Sequence, residues 1–183
     1  SGDDARVVLN VIRESGRSVS VVGNRVLIGE TSELRFPGIV DSILAGTSSR
    51  FLTAVAALFS STTIIDGEAA LRSRPMSDLH EALSSLGADV VHLGEIGHLP
   101  VSISRGSMSG GDIHIAGNVS SQFISALMLI GPKLSEGLTI HVDGPLISRS
   151  YVEMTADVMR SFGATVTFNG STIVVASGSY GGR

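Results

Sequence analysis

Two short motifs carry most of the polar chemistry in this chain. The first is Gly46-Thr47-Ser48-Ser49-Arg50, the second Asn118-Val119-Ser120-Ser121-Gln122. In each, small hydroxyls precede a long polar head and an apolar run follows at once. Backbone N–H groups without partners and the positive end of the macrodipole collect at a helix start, so such a spot suits an anion or a polyol. A serine or threonine there can equally be a plain N-cap. A cap explains the hydroxyls but not Arg50 or Gln122 on the first turn of an otherwise apolar helix; a ligand explains both. Arg74, in Leu71-Arg72-Ser73-Arg74-Pro75, precedes a second helix for which Pro75 suits the first position. It reads either as a solvated loop arginine or as a fork for carboxylate or phosphate. Ser148-Arg149-Ser150-Tyr151 takes the matching place further on, with Tyr151 a half-buried core residue or a hydroxyl donor. The histidines at 80, 92, 98, 114 and 141 lack metal-ligand spacing and read as ordinary, and Gly106–Gly111 lacks phosphate-loop spacing.

The elements that must position these groups follow from a repeat. Residues 47–90 and 119–166 share Ser-Ser-polar-Phe, an apolar stretch, a strand ending in Asp-Gly, an amphipathic stretch and Gly-Ala-x-Val. The offset is 72 residues from Arg50 to Gln122 and 76 from Gly87 to Gly163. A fixed period marks supersecondary units that bury their cores against one another. One unit places strands near 33–36, 62–66, 89–93 and 101–104 around helices 47–60 and 75–86. The next places strands at 112–116, 139–143, 165–168 and 172–175 around helices 119–130 and 150–162. Helices 47–60 and 119–130 are apolar all round and therefore predict burial on every side; 75–86 carries one stripe, Met76, Leu79, Leu83 and Leu86. Residues 5–28 match only the tail of a unit, a helix near 4–14 and a hairpin 19–22/25–28 turned at Gly23-Asn24. The units are thus 3–29 (partial), 33–105 and 111–176, in a single domain over 3–180 of βαβαββ repeats. The class is α/β (α+β by some schemes), and the chain reads as a piece of something larger. The truncated unit predicts an exposed apolar edge and self-association through it.

Composition bounds the function. The 183 residues are 43% hydrophobic and 16% charged, which describes a packed globular chain. A net charge of −4, 4% aromatics and no Trp argue against nucleic-acid or acidic-membrane partners. With no Cys there is no disulfide, zinc–thiolate site or thiol nucleophile. The longest apolar run, at 123–131, is too short to span a bilayer, and no signal peptide is visible, so a cytoplasmic protein is the expectation. Ser1-Gly2 reads as a tag remnant.

Ala45-Gly46-Thr47 with Arg50, Asp66-Gly67 through Arg74-Pro75, Ser120-Ser121-Gln122-Phe123 and Ser148-x-x-Tyr151 together resemble the 3-phosphoshikimate 1-carboxyvinyltransferase (EPSP synthase) family, over about residues 3–180. The resemblance implies a two-domain enzyme whose domains are inside-out barrels of three such units, helices inside and sheets outside. It implies transfer of the enolpyruvyl group of phosphoenolpyruvate to the 5-hydroxyl of shikimate 3-phosphate, in aromatic amino-acid biosynthesis, without metal or cofactor. Phosphoenolpyruvate would be held by Gly46, Thr47, Arg50, Arg74 and Gln122. Shikimate 3-phosphate would be held by Ser120, Ser121, Gln122, Ser148 and Tyr151, and Gln122 and Arg74 would serve catalysis. Leu44 and Ser150 depart from the family, which often has Asn and Pro there. The family's N-terminal Gly-Ser-Lys-Ser segment and its second domain, which brings the acid/base groups, have no counterpart here, so the chain alone is expected to be inactive. Two alternatives stand beside this. The UDP-N-acetylglucosamine enolpyruvyl transferase usually carries a reactive Cys, which this chain lacks. A non-catalytic repeat scaffold does not need Arg50, Arg74 and Gln122 at helix starts.

Overall fold

A computed structural model describes residues 2–182, so Ser1 of the expected tag remnant lies outside it. Helix α1 (Asp3–Glu14) leads into the antiparallel hairpin β1 (Val19–Val22) and β2 (Arg25–Ile28). Strand β3 (Ile39–Asp41), helix α2 (Gly46–Ala56) and β4 (Thr63–Asp66) then form a parallel crossover, with Asp41 beside Asp66. After α3 (Ala69–Arg72) and α4 (Ser77–Ser85), β5 (Asp89–His92) and β6 (Val101–Ser104) close a sheet in the order β3-β4-β6-β5. The plan then recurs. Strand β7 (Gly111–Ala116), α5 (Ser121–Ile130), a short 3-10 turn, β8 (Leu138–Asp143), α6 (Arg149–Ser161), β9 (Val166–Asn169) and β10 (Thr172–Val175) give the order β7-β8-β10-β9. Both sheets join a parallel pair to an antiparallel hairpin at the same place.

The first helix of each full unit is the buried one. Seven of eleven residues in α2 and seven of ten in α5 are buried, against four of nine in α4 and three of thirteen in α6. That ratio follows from their apolar circumference. Phe123, Ile124, Leu127, Met128 and Ile130 of α5 meet inward-pointing Ile65, Ile103, Leu138 and Ile140 in one aliphatic core. No helix among the described residues is long and apolar enough to cross a membrane.

Several boundaries differ from expectation. The strand expected at 33–36 is a loop, although its residues alternate. Phe36 is buried beside Phe59, with ring centroids 5.1 Å apart. The strand begins after Pro37-Gly38, where β-branched Ile39-Val40 pair with Ile64-Ile65. Helix α2 stops at Ala56, four residues short of the expected end, because the chain tightens into three-residue turns there (Leu58 N–H to Val55 C=O, Phe59 N–H to Ala56 C=O, both 3.0 Å). Pro75 is not the first residue of α4; Met76 is its N-cap, and the unanticipated α3 precedes it. The β1–β2 hairpin exposes Val21, Val22, Val26, Leu27 and Ile28.

Candidate functional site

The loop before α2 is held in an unusual shape. Ile43 has φ +53°, a left-handed conformation that a β-branched residue rarely takes. Its N–H donates to Asp41 Oδ1 (2.9 Å), and its carbonyl accepts from the Glu68 N–H (2.8 Å). This turn delivers Ala45 as the N-cap of α2, and alanine has no side chain with which to cap. The cap comes instead from α1: the Asp4 carboxylate accepts from the Ser48 N–H and hydroxyl, both at 2.9 Å.

Gly46 opens the helix, and Arg74 lies directly against it. A Cβ at position 46 would sit 2.7 Å from Arg74 Nη1 and 3.9 Å from Arg50 Nη1. Two guanidinium groups thus flank one helix start, and among the described residues neither forms a salt bridge with a carboxylate. Burial, and then the nearby Arg74, hold the Arg50 pKa below its ordinary value. Its Nε is buried without a partner, and the guanidinium stacks 5.1 Å from the Phe123 ring centroid. Positive charge, partly dehydrated, beside free helix N–H groups is an arrangement that suits an anion.

Gln122 ties this site to the start of α5. Its Oε1 accepts from Arg50 Nη1, and its Nε2 donates to Thr47 Oγ1 (2.9 Å). Ser120 caps α5 itself by accepting from the Gln122 N–H at 3.3 Å. On the far side of Gln122 opens a cleft of about 610 Å³ between α2, α5 and α6, into which Thr47, Ser120, Ser121, Gln122 and Tyr151 face. Its floor carries a hydroxyl pair, Ser125 Oγ to Thr155 Oγ1 at 2.7 Å. Of the nine residues singled out in the sequence, Gly46, Thr47, Arg50, Arg74 and Gln122 meet at α2, and Ser120, Ser121 and Tyr151 join Thr47 and Gln122 around the cleft. Ser148 does not line it; it is the N-cap of α6, one turn before Tyr151. The cleft lining holds no charged residue and no histidine; beside its hydroxyls and Gln122 it carries Phe51, Leu129, Met154 and Val158, so it offers neutral hydrogen bonds and apolar contact rather than groups that move protons. Among the described residues no cluster of three or more His, Asp or Glu is arranged for a metal ion.

Sequence reasoning missed Asp4, the stacking of Arg50 on Phe123 and the Ser125–Thr155 pair. The Asp3-Asp4 opening of α1 was the available signal for the first, since acidic residues favour helix starts, but its partner lies 44 residues away.

The sequence model of the family described as EPSP synthase (3-phosphoshikimate 1-carboxyvinyltransferase) matches residues 1–180. A 3-phosphoshikimate 1-carboxyvinyltransferase of Methanothermobacter thermautotrophicus is 37% identical over 98% of this chain and 43% of its own length. One from Shewanella baltica is 42% identical over 67% of this chain and 29% of its own length. An EPSP synthase structure from Acinetobacter baumannii superposes with a TM-score of 0.82 at 27% identity, covering 98% of this chain and 40% of that one. The chain therefore spans about two-fifths of the length of such relatives. The repeat, the paired helix starts and the match along nearly its whole length place this chain in the EPSP synthase family.

Proposed function

We propose that the chain forms the substrate-binding part of an enzyme that transfers the enolpyruvyl group of phosphoenolpyruvate to the 5-hydroxyl of shikimate 3-phosphate. In this reading residues 3–180 are one inside-out barrel domain of units 3–29, 33–105 and 111–176. Gly46, Thr47, Arg50 and Arg74 hold phosphoenolpyruvate; Ser120 and Ser121 on the cleft hold the shikimate phosphate together with Ser148, which reaches it from the start of α6 outside the cleft lining, and Tyr151 contacts the same substrate. Gln122 stands between the two and, with Arg74, orients the reacting groups. The hydroxyl gives up its proton to a base as its oxygen adds to C2 of phosphoenolpyruvate and an acid protonates C3; C3 then loses a proton to a base as the C2–O bond to phosphate breaks and inorganic phosphate leaves. Both steps need an acid/base group that the cleft lining does not supply, and the second domain of the relatives' longer chains is the proposed source. Self-association through the β1–β2 hairpin belongs to the same proposal, as an outcome of leaving its apolar face uncovered.

The observation that carries the reading is the unneutralised Arg50–Arg74 pair at the start of α2, joined through Gln122 to the hydroxyl-lined start of α5. Two anionic substrates fit two adjacent helix starts. Titration by 15N NMR with each substrate separately tests it. Phosphoenolpyruvate is expected to shift the amides of 46–50 and shikimate 3-phosphate those of 120–122 and 151, and the chain alone to release no phosphate from the mixture. Shifts scattered over the surface at millimolar ligand would refute the site. Turnover by the chain alone would refute the division of labour.

A further inference from the structure

The two helix starts are capped in different ways, and the difference has an electrostatic content. Helix α5 caps itself through Ser120, a neutral hydroxyl. Helix α2 has Ala45 as its N-cap and takes a formal negative charge from another helix: Asp4 Oδ1 accepts from both the backbone N–H and the hydroxyl of Ser48, each at 2.9 Å, while the Ser48 hydroxyl also lies 3.0 Å from the Asp4 carbonyl. Ser48 is nearly fully buried, so this contact is part of the packing of α1 on α2. It occupies the third N–H of the helix. Among the described residues no acceptor takes the backbone N–H of Gly46 or Thr47, and these lie beside Arg74 and Arg50.

We propose that Asp4 is a resident anion that sets the affinity of the α2 start: it holds the third donor of the first turn while a ligand dianion of the phosphate or carboxylate class takes the first two. This rests on the reading of that helix start as the phosphoenolpyruvate site. Asp4 has two opposed effects. By tying Ser48 it fixes the first turn, so the Gly46 and Thr47 donors stay aligned. By its charge it repels the ligand across one helical turn and offsets part of the attraction of Arg50 and Arg74. The site then binds a dianion firmly enough to orient it and weakly enough to release inorganic phosphate. A neutral cap of the same shape would keep the first effect and abolish the second. Asp4 is a positioning residue, since it acts through Ser48 and through the field rather than by touching the ligand.

The sign of one substitution decides the matter. Asp4→Asn retains an oxygen acceptor for Ser48 and removes the charge. Inorganic phosphate is titrated into the unmodified chain and the variant, with the Gly46 and Thr47 amide shifts as readout. The variant is expected to bind phosphate about three- to tenfold more tightly, the size of one unit repulsion across a helical turn near the surface. Raising the salt to about 1 M, where the Debye length is about 3 Å, should collapse the gain. Asp3→Asn is the control: it removes the same charge one residue away, from a side chain engaged with Arg6 at 2.8 Å, and should change affinity less than about twofold. Ser48→Ala keeps the charge while cutting the hydroxyl tie, and should weaken binding or leave it unchanged. Unaltered or weaker binding by Asp4→Asn, or an equal gain from Asp3→Asn, would make Asp4 a structural tie alone and overturn the inference while leaving the site intact. If phosphate moves neither amide in the unmodified chain, the site itself is wrong and both readings fall.

Discussion

Acid stability should be governed to a large extent by one buried imidazole. His80 on α4 is fully enclosed; its Nδ1 lies 3.1 Å from His92 Nε2 on β5, and its Nε2 has no partner. Burial, then the proximity of His92 and of His98, push its pKa from an ordinary 6.5 down to about 4. A depressed histidine pKa means that the folded state refuses a proton that the unfolded chain accepts. The stability due to neutral His80 is therefore intact above pH 6.5, declines by about 1.4 kcal/mol per pH unit below it, and levels off near pH 4. The whole decline amounts to about 3 kcal/mol, a large share of the roughly 5–15 kcal/mol that holds a domain together. Urea unfolding of the unmodified chain and of His80→Gln, at about pH 7.5, about pH 5.5 and about pH 4, isolates the contribution, because the surface carboxylates are common to both. The variant starts less stable at neutral pH, having lost the imidazole contact, yet its stability should fall by about 3 kcal/mol less over the range. Parallel pH profiles for the two proteins would refute the reasoning, showing that His80 is protonated without cost in the folded chain.

Three further outcomes follow from named contacts. Gly46→Ala places a methyl 2.7 Å from the end of a flexible arginine, so the guanidinium of Arg74 swings aside. Thermal stability should change by less than about 1 kcal/mol while phosphoenolpyruvate affinity drops at least about tenfold, as calorimetry would show. Gln122→Ala removes both the Arg50 and Thr47 partners at once and should cost about 1–3 kcal/mol in denaturant unfolding, with loss of order at both helix starts. Gly117→Ala drives a Cβ to within 2.5 Å of the Pro145 carbonyl oxygen, which as backbone has nowhere to go. A loss of about 2–3 kcal/mol in the unfolding free energy is expected, and full stability in that variant would disprove the packing of the 144–148 turn on the end of β7.

What the sequence disclosed is what is periodic. The Ser-Ser-x-Phe copies, the Asp-Gly strand ends and the apolar circumference of two helices are repeated signals, and each corresponds to an element whose burial the pattern dictates. What it withheld is what depends on one distant partner. Glu33-Leu34-Arg35-Phe36 alternates as a strand should, but a strand needs a neighbour, and only Ile39–Asp41 finds β4. Ile43 gives no sign of a left-handed backbone, because the residue type argues against it and hydrogen bonds to Asp41 and Glu68 impose it. At the site, Arg50 and Gln122 were legible as odd polar groups at helix starts, and Arg74 as an arginine in the link before α4. Their mutual arrangement, and the cap that Asp4 supplies, depended on how α1 packs on α2.

The matching order of the two sheets also bears on how the chain reaches its fold. Strands β4 and β8 turn β-branched or aliphatic residues inward at every second position, and each receives the second strand of a hairpin antiparallel to itself. A nascent β10 therefore meets two near-equivalent templates, and pairing with the wrong one would satisfy most of its backbone. Divergence between the copies breaks the tie: β8 runs six residues where β4 runs four, and β9-β10 turn within two residues where β5-β6 need eight. Loop closure favours the nearer partner, so each unit is directed to assemble with its own hairpin before the units meet. The kinetic hazard of an internally duplicated chain is cross-pairing between its copies, and evening out those lengths would make refolding slower and more prone to aggregate without weakening the finished structure.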